Sequence, residues 1–318
     1  MDNLTRRDLL RMAAAAAALP ALPCAAAAQT TAGPGSTLRF FPGFKSARVK
    51  TSGAEINLVH AGSGPPLLLI HGAPQTHVSM RLLAADLVKD YTVIAPDLRG
   101  YGESSKPPDG ENHANYSKRA MALDQVEVMK SFGFDKFAVV GHDRGGRVAH
   151  RLALDHPDQV TRLCVLDIIP TYYLYTHVTI DFIQAYFHWF NNVRAAPAPE
   201  NDLLKQYEAQ KARVTNEIQL EYLRTSSLPE NIHGMCEDYR AGASIDLKHD
   251  EADLSKKIAC PLLTLWGLKS PMGRIYDVLA IWKERGISVT GKGVAAGHNV
   301  QEDAPAEVLA ELRPFLRA

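Results

Sequence analysis

The chain is poor in cysteine, has no surplus of charge of either sign and contains no internal repeat. Four cysteines are spread over 318 residues, too few for a disulfide scaffold. Lys plus Arg and Asp plus Glu number 35 each. With no basic run to break that balance, nucleic acid is not an expected partner. No His/Cys cluster has the spacing of a metal site, so neither a metal nor an organic cofactor is expected. The apolar run from Met12 to Leu22 is shorter than a membrane span, and no other candidate exists.

That run has a different reading. Arg6-Arg7 precedes it, and Ala25-Ala26-Ala27-Ala28 follows. A paired arginine, a mildly apolar core and a small-residue cleavage zone have the form of a twin-arginine export signal. A globular helix is disfavoured by Pro20 and Pro23. The expected division is a signal over 1–28, a Thr/Gly/Ser-rich leader over 29–37, and a mature chain in the periplasm or outside the cell, with no membrane attachment after cleavage. Cys164, Cys236 and Cys260 then remain, an odd number that again argues against a disulfide framework. Cys164 and Cys260 lie in strand patterns and suit small buried hydrophobes.

The mature chain alternates strand and helix patterns. Phe44–Thr51 and Glu55–His60 predict a hairpin turned by Ser52-Gly53. Pro66–Ile70 and Tyr91–Ala95 are short and apolar, as in a parallel sheet buried on both faces; Phe137–Val140, Leu163–Pro170 (with Asp167 near its carboxyl end) and Pro261–Gly267 continue the strand pattern. Helices are predicted near Val78–Lys89, Ser117–Phe132, Ile275–Arg285 and Glu307–Phe315, with a last strand at Ile287–Val294. Residues 171–250 are aromatic-rich, helical in period and broken by Pro197, Pro199 and Pro229. They are read as a helical lid inserted into a core made of 38–170 and 251–318. The class is α/β, with a mostly parallel sheet whose ligands sit at the strands' carboxyl ends.

One stretch organises the rest. Phe137-Ala138-Val139-Val140 stops at Gly141, and Gly145-Gly146 lead into a helix through Leu154. Gly141-His142-Asp143-Arg144-Gly145 has the spacing of a nucleophile elbow, with aspartate where serine usually stands. The bare pattern could equally be a strand–helix joint with an aspartate cap. Chain order favours chemistry: Asp143, then Asp167 at a strand end, then His298 in a Gly-His-Asn loop. The loop after Trp266, often the site of the third residue, has no carboxylate, which leaves Asp167 for that place.

Aspartate at the elbow changes the reaction. A carboxylate is ionised at neutral pH and can attack a saturated carbon to form an ester. His298 is then free to activate a water against that ester, with the backbone N–H groups of Ala73 and Arg144 holding the oxyanion. Hydrolysis of a carbon–halogen bond or of an epoxide fits; ordinary ester hydrolysis does not. Arg144 and Arg147, one helical turn apart, share a face and suit a carboxylate substrate. The competing reading gives Arg147 a structural acid as partner.

The chain resembles the fluoroacetate (haloacetate) dehalogenases of the α/β-hydrolase fold. The resemblance rests on HGAPQTH at 71–77, DLRGYGESSKP at 97–107, GHDRGGRVAHRLALDHP at 141–157, LDIIPTY at 166–172, His188-Trp189, DYRAG at 238–242 and AGH at 296–298. It implies an eight-stranded sheet, Asp143 as nucleophile, His298 as base, and Asp167 as its partner. It further implies Arg144 and Arg147 as ligands of a substrate carboxylate, and His188, Trp189 and Tyr239 as donors to the departing halide. His188 and Trp189, roughly 100° apart on a helix, can converge only near a helix end or bend. Ala73 and the lid over 191–225 depart from the family pattern. The expected partners are a small 2-haloacid and water. An epoxide hydrolase on the same scaffold is the alternative, and the sequence leaves a homodimer open.

Overall fold

The computed structural model describes residues 37–317; the export-signal reading of 1–28 and nearly all of the 29–37 leader lie outside them. The described strands are β1 (Lys45–Lys50), β2 (Glu55–Ala61), β3 (Pro66–Ile70), β4 (Thr92–Pro96), β5 (Phe137–His142), β6 (Val160–Leu166), β7 (Leu262–Gly267) and β8 (Val289–Val294). They form one eight-stranded sheet in the order β1-β2-β4-β3-β5-β6-β7-β8. β2 is antiparallel to both of its neighbours, and every pairing from β4 to β8 is parallel.

The apolar strands are apolar because both faces are covered. Along β3, Leu68 and Ile70 enter one core cluster, and Leu67 and Leu69 enter the other. The first layer holds α2 (Lys118–Ser131) and α3 (Asp143–Asp155), through Met121, Val128, Val148 and Leu152. The second holds α1 (Arg81–Leu87) and, at the chain's end, α14 (Pro305–Arg317), through Leu83, Leu87, Val308 and Leu312.

Between β6 and β7 the chain forms seven helices: α4 (Thr171–Thr176), α5 (Ile180–Ala185), α6 (Phe187–Asn192), α7 (Ala198–Lys211), α8 (Glu217–Ser226), α9 (Pro229–Gly242) and α10 (Ile245–Ala252). They pack on the same core cluster as α2 and α3, with Trp189, Ile232 and Tyr239 buried there.

Some expected elements are corrected. The helix expected over Ile275–Arg285 is two, α11 (Pro271–Ile275) and α12 (Val278–Lys283). Two start signals explain the split: Ser270 caps Met272 N ahead of Pro271, and Asp277 caps Ala280 N. The helix expected from Val78 begins as a 3₁₀ turn, His77–Met80, capped by Thr76. The last strand starts at Val289 rather than Ile287, and the last helix extends past both expected ends, preceded by a short α13 (Val300–Asp303). Cys164, Cys236 and Cys260 are free thiols; Cys164 and Cys236 are buried.

Candidate active site

The elbow is built as its glycines require. A Cβ on Gly141 would stand 2.5 Å from the Gly145 carbonyl oxygen, and one on Gly145 would stand 2.3 Å from that of His71. Asp143 itself sits at φ +45°, a strained conformation for a side-chain-bearing residue that costs about 1–3 kcal/mol. What the strain achieves is position: the carboxylate stands at the first residue of α3, where the helix dipole favours negative charge. Its Oδ2 accepts a hydrogen bond from Ala73 N at 3.0 Å. Ala73 is held in turn by His71, whose Nδ1 donates to Gly72 O at 2.8 Å while Nε2 accepts from Leu98 N at 3.0 Å.

His298 faces the other carboxylate oxygen, with Nε2 3.9 Å from Asp143 Oδ1. Its Nδ1 donates to Asp167 Oδ2 at 2.5 Å, which leaves Nε2 as the lone-pair nitrogen. Asp167 is also held at positive φ, +52°, and its two oxygens accept from Gly267 N at 2.8 Å and Ser270 Oγ at 2.5 Å. The loop after β7 thus supplies no carboxylate, as the sequence indicated, but it fastens the one at the end of β6. His142 secures the base from below, donating from Nε2 to His298 O at 2.9 Å.

The protonation states follow from these neighbours. Burial pushes the Asp143 carboxyl up, but His298, His142, Arg147 and Arg144 outweigh it and hold its pKa down to about 2. Burial disfavours a charged His298, yet the hydrogen bond to Asp167 and the charges of Asp143 and Asp167 raise its pKa above the ordinary 6.5. His142, desolvated and next to His298, is lowered to about 4 and stays neutral.

The two arginines are not equivalent. Arg144 is 1% exposed and forms a two-pronged pair with Asp238, Nε to Oδ2 and Nη2 to Oδ1, each 2.8 Å. Lys118 reaches the same carboxylate, and Tyr101 Oη donates to it at 2.5 Å. A lone guanidinium in such an interior would cost several kcal/mol, so Asp238 is what permits Arg144 to be buried. The structural acid expected as one alternative for Arg147 belongs to Arg144 instead. Arg147 is 3% exposed, and no Asp or Glu lies within ion-pair distance of it among the described residues. Among the described residues it donates to Ile169 O and Thr171 Oγ1, at 3.0 and 3.1 Å. Burial and the charge of Arg144 lower its pKa to about 10. Each guanidinium keeps a buried N–H group without a partner, Nη1 of Arg144 and Nε of Arg147.

The helices beyond β6 close over these groups. His188 and Trp189 fall in the first turn of α6, as their convergence required. Trp189 and Tyr239 are buried and their rings meet edge-on at 5.8 Å, while His188 stays exposed, its ring 5.8 Å from that of Tyr239. Arg144 lies over the Tyr239 ring at 4.3 Å and Arg147 over the Trp189 ring at 4.5 Å. All the expected side chains are therefore brought to one place above α3.

Several participants escaped the sequence reading. Asp238, Lys118 and Tyr101 seat Arg144, while Ser270 and His142 seat the Asp167–His298 pair. Tyr186 brings a buried phenol whose ring lies 6.3 Å from that of His298, with its Oη unpartnered. The DYRAG segment placed Asp238 beside Tyr239, and Tyr101 and His142 lie in segments of the resemblance without a role attached; Lys118, Ser270 and Tyr186 carried no signal. The broader chemistry is clear from the geometry: an ionised carboxylate on a backbone donor, an imidazole with a free nitrogen opposite, and cationic N–H groups alongside can support covalent hydrolysis.

The α/β hydrolase fold family model matches residues 65–305. A fluoroacetate dehalogenase from Burkholderia sp is 42% identical over 87% of this chain and 95% of its own. A soluble epoxide hydrolase from Corynebacterium sp. (strain C12) is 34% identical, covering 81% of this chain and 92% of its own. Among solved structures, a putative α/β hydrolase from Nostoc sp PCC 7120 superposes with a TM-score of 0.84 at 49% identity, over 87% of this chain and 99% of that one. The chain is a hydrolase of the α/β-hydrolase family and, within that family, a relative of fluoroacetate dehalogenase.

Proposed function

We propose that the chain hydrolyses small 2-haloacids to the 2-hydroxyacid and halide through an ester on Asp143. The observation that carries this reading is Arg147, a buried cation with no carboxylate partner and an unmade N–H, one turn from an ionised carboxylate. A substrate carboxylate supplies the missing anion. Arg144 and Arg147 hold it so that the halogen-bearing carbon faces Asp143 Oδ1. Attack from behind the leaving group forms the carbon–oxygen bond as the carbon–halogen bond breaks, inverting a chiral centre. Trp189, Tyr239 and His188 offer indole, phenol and imidazole donors to the departing halide.

His298, whose Nε2 stands 3.9 Å from Asp143 Oδ1, then takes a proton from a water beside the ester, and the oxygen attacks the ester carbonyl. The amides of Ala73 and Arg144 hold the oxyanion, and the helices over 171–252 act as the lid. As the tetrahedral intermediate collapses, its hydroxyl proton passes to the departing oxygen, so haloacetate yields glycolate and the ionised Asp143, and the proton on His298 returns to solvent. No cofactor enters these steps.

The test is halide and glycolate measured together from fluoroacetate and chloroacetate. Equal amounts of the two products support the reading. A second reading, epoxide hydrolysis, is favoured by the buried phenols of Tyr186 and Tyr239, which could protonate an alkoxide. Turnover of styrene oxide with no halide release from either acid would establish it instead.

Two outcomes follow within this reading. Arg147→Met preserves bulk but removes the charge, and KM for chloroacetate should rise on the order of 100-fold, the worth of a charge-assisted contact. An unchanged KM in steady-state kinetics would remove Arg147 from substrate binding.

The pH profile should be split. Asp143 remains ionised well below neutrality, so alkylation, and with it kcat/KM, should stay nearly level between about pH 5 and about pH 9. Ester hydrolysis needs neutral His298, whose raised pKa keeps it charged on the acid side, so kcat should fall as the pH drops. In the ester the Asp143 charge is gone, which places that limb lower than the pKa of His298 in the free enzyme. A kcat that is level across the range would show that His298 is not the base.

A further inference from the structure

The sequence shows no metal-ligand spacing, yet the fold assembles a candidate set from distant segments on the outer side of α9. Asp109, His233 and Glu237 offer ligand atoms that all lie within 4.8 Å of one another. We propose that these three residues bind a divalent transition-metal ion such as zinc.

His233 and Glu237 are four residues apart on α9 and share its outer face, whereas Asp238 and Tyr239 point inward. His233 Nε2 is 2.8 Å from Asp109 Oδ1, and its Nδ1 is 3.1 Å from Glu200 Oε1. An imidazole with one nitrogen toward the ion and the other donating to a carboxylate is the orientation that zinc-bound histidines adopt. On the other side, His113 Nδ1 lies 2.6 Å from Glu237 Oε2, while Arg240 Nη1 is 2.8 Å from Glu237 Oε1 and 2.7 Å from Glu200 Oε1.

Charge points the same way. Asp109, Glu200 and Glu237 bring three negative charges, and Arg240 returns one. The remaining two match a divalent cation. Glu237 is 2% exposed and Oε2 of Glu200 is buried without a partner, so this excess charge is not simply in solvent. The Asp109 side chain is 47% exposed, which gives the ion a way in. Metal–ligand bonds of 2.0–2.2 Å at tetrahedral angles place ligand atoms about 3.4 Å apart, between the 2.8 Å and 4.8 Å seen here. One nitrogen and two carboxylate oxygens leave a fourth position for water or for His113. Such an ion would tie the loop containing 109–116 to the helix that carries Asp238 and Tyr239.

The experiment is calorimetric titration of the chelator-treated, untagged chain with Zn²⁺, beside His233→Ala and Glu237→Gln. The expected result is one equivalent bound by the parent chain, at least tenfold weaker in both variants, whose far-ultraviolet circular dichroism matches the parent. Excess Zn²⁺ should also raise the parent's Tm by about 5 °C and that of His233→Ala by less. No binding by the parent, or equal binding by a folded His233→Ala, overturns the proposal.

Discussion

Asp143→Asn should reduce halide release and glycolate formation together by roughly 10⁴-fold or more, the scale on which loss of a nucleophile is felt. An amide is neutral and a poor nucleophile toward saturated carbon. Its carbonyl oxygen can still accept from Ala73 N, so the elbow need not rearrange. The cationic surroundings make the loss sharper: His298, His142, Arg147 and Arg144 together hold the native carboxyl near a pKa of about 2, a field prepared for an anion. Substrate binding should survive, since Arg144 and Arg147 are unchanged, and calorimetry with chloroacetate separates that from collapse of the site. Halide release within tenfold of the parent would exclude Asp143 as nucleophile.

His298→Gln should give the opposite signature, a first step that runs and a second that does not. Asp143 needs no base, so one equivalent of halide should appear and turnover should then stop. The protein should gain about 58 Da, one carboxymethyl group replacing a proton, on a peptide containing Asp143. Glutamine can retain a hydrogen bond to Asp167 but cannot accept the proton of water. This variant distinguishes covalent from direct hydrolysis, because a water attacking substrate itself would leave no added mass. Sustained turnover, or loss of halide release without a mass gain, contradicts the two-step scheme.

What could be read in the amino-acid order follows physical range. Gly141, Asp143 and Gly145 announce themselves because a tight strand–helix joint constrains neighbours in sequence. Asp167 and His298 are legible because parallel strands deliver their ends to one rim. Asp238, Lys118 and Tyr101 are not, since an ion network between the inserted helices and the core has no period and no fixed spacing. Ser270 is missed for a related reason: it caps α11 and at the same time holds Asp167, and only the first role leaves a local mark. The Arg144–Arg147 pair shows the limit of spacing, which predicted one shared face but not that Asp238 would already balance one of the two charges. The Asp109–His233–Glu237 cluster joins one helix to a loop residue more than a hundred positions away, so no short motif spans it.

The bond from Ala73 N to one Asp143 oxygen gives the proposed cycle an isotopic memory. The oxygen that leaves in glycolate is Oδ1, the one that attacked, while Oδ2 remains pinned to the amide. The incoming water refills the vacated place on the carboxylate. Each glycolate therefore carries the oxygen of the water consumed one turnover earlier, and the first glycolate carries an oxygen that belonged to the protein from its synthesis. A carboxylate free to spin would mix the two positions, and the hydrogen bond to Ala73 keeps them in order.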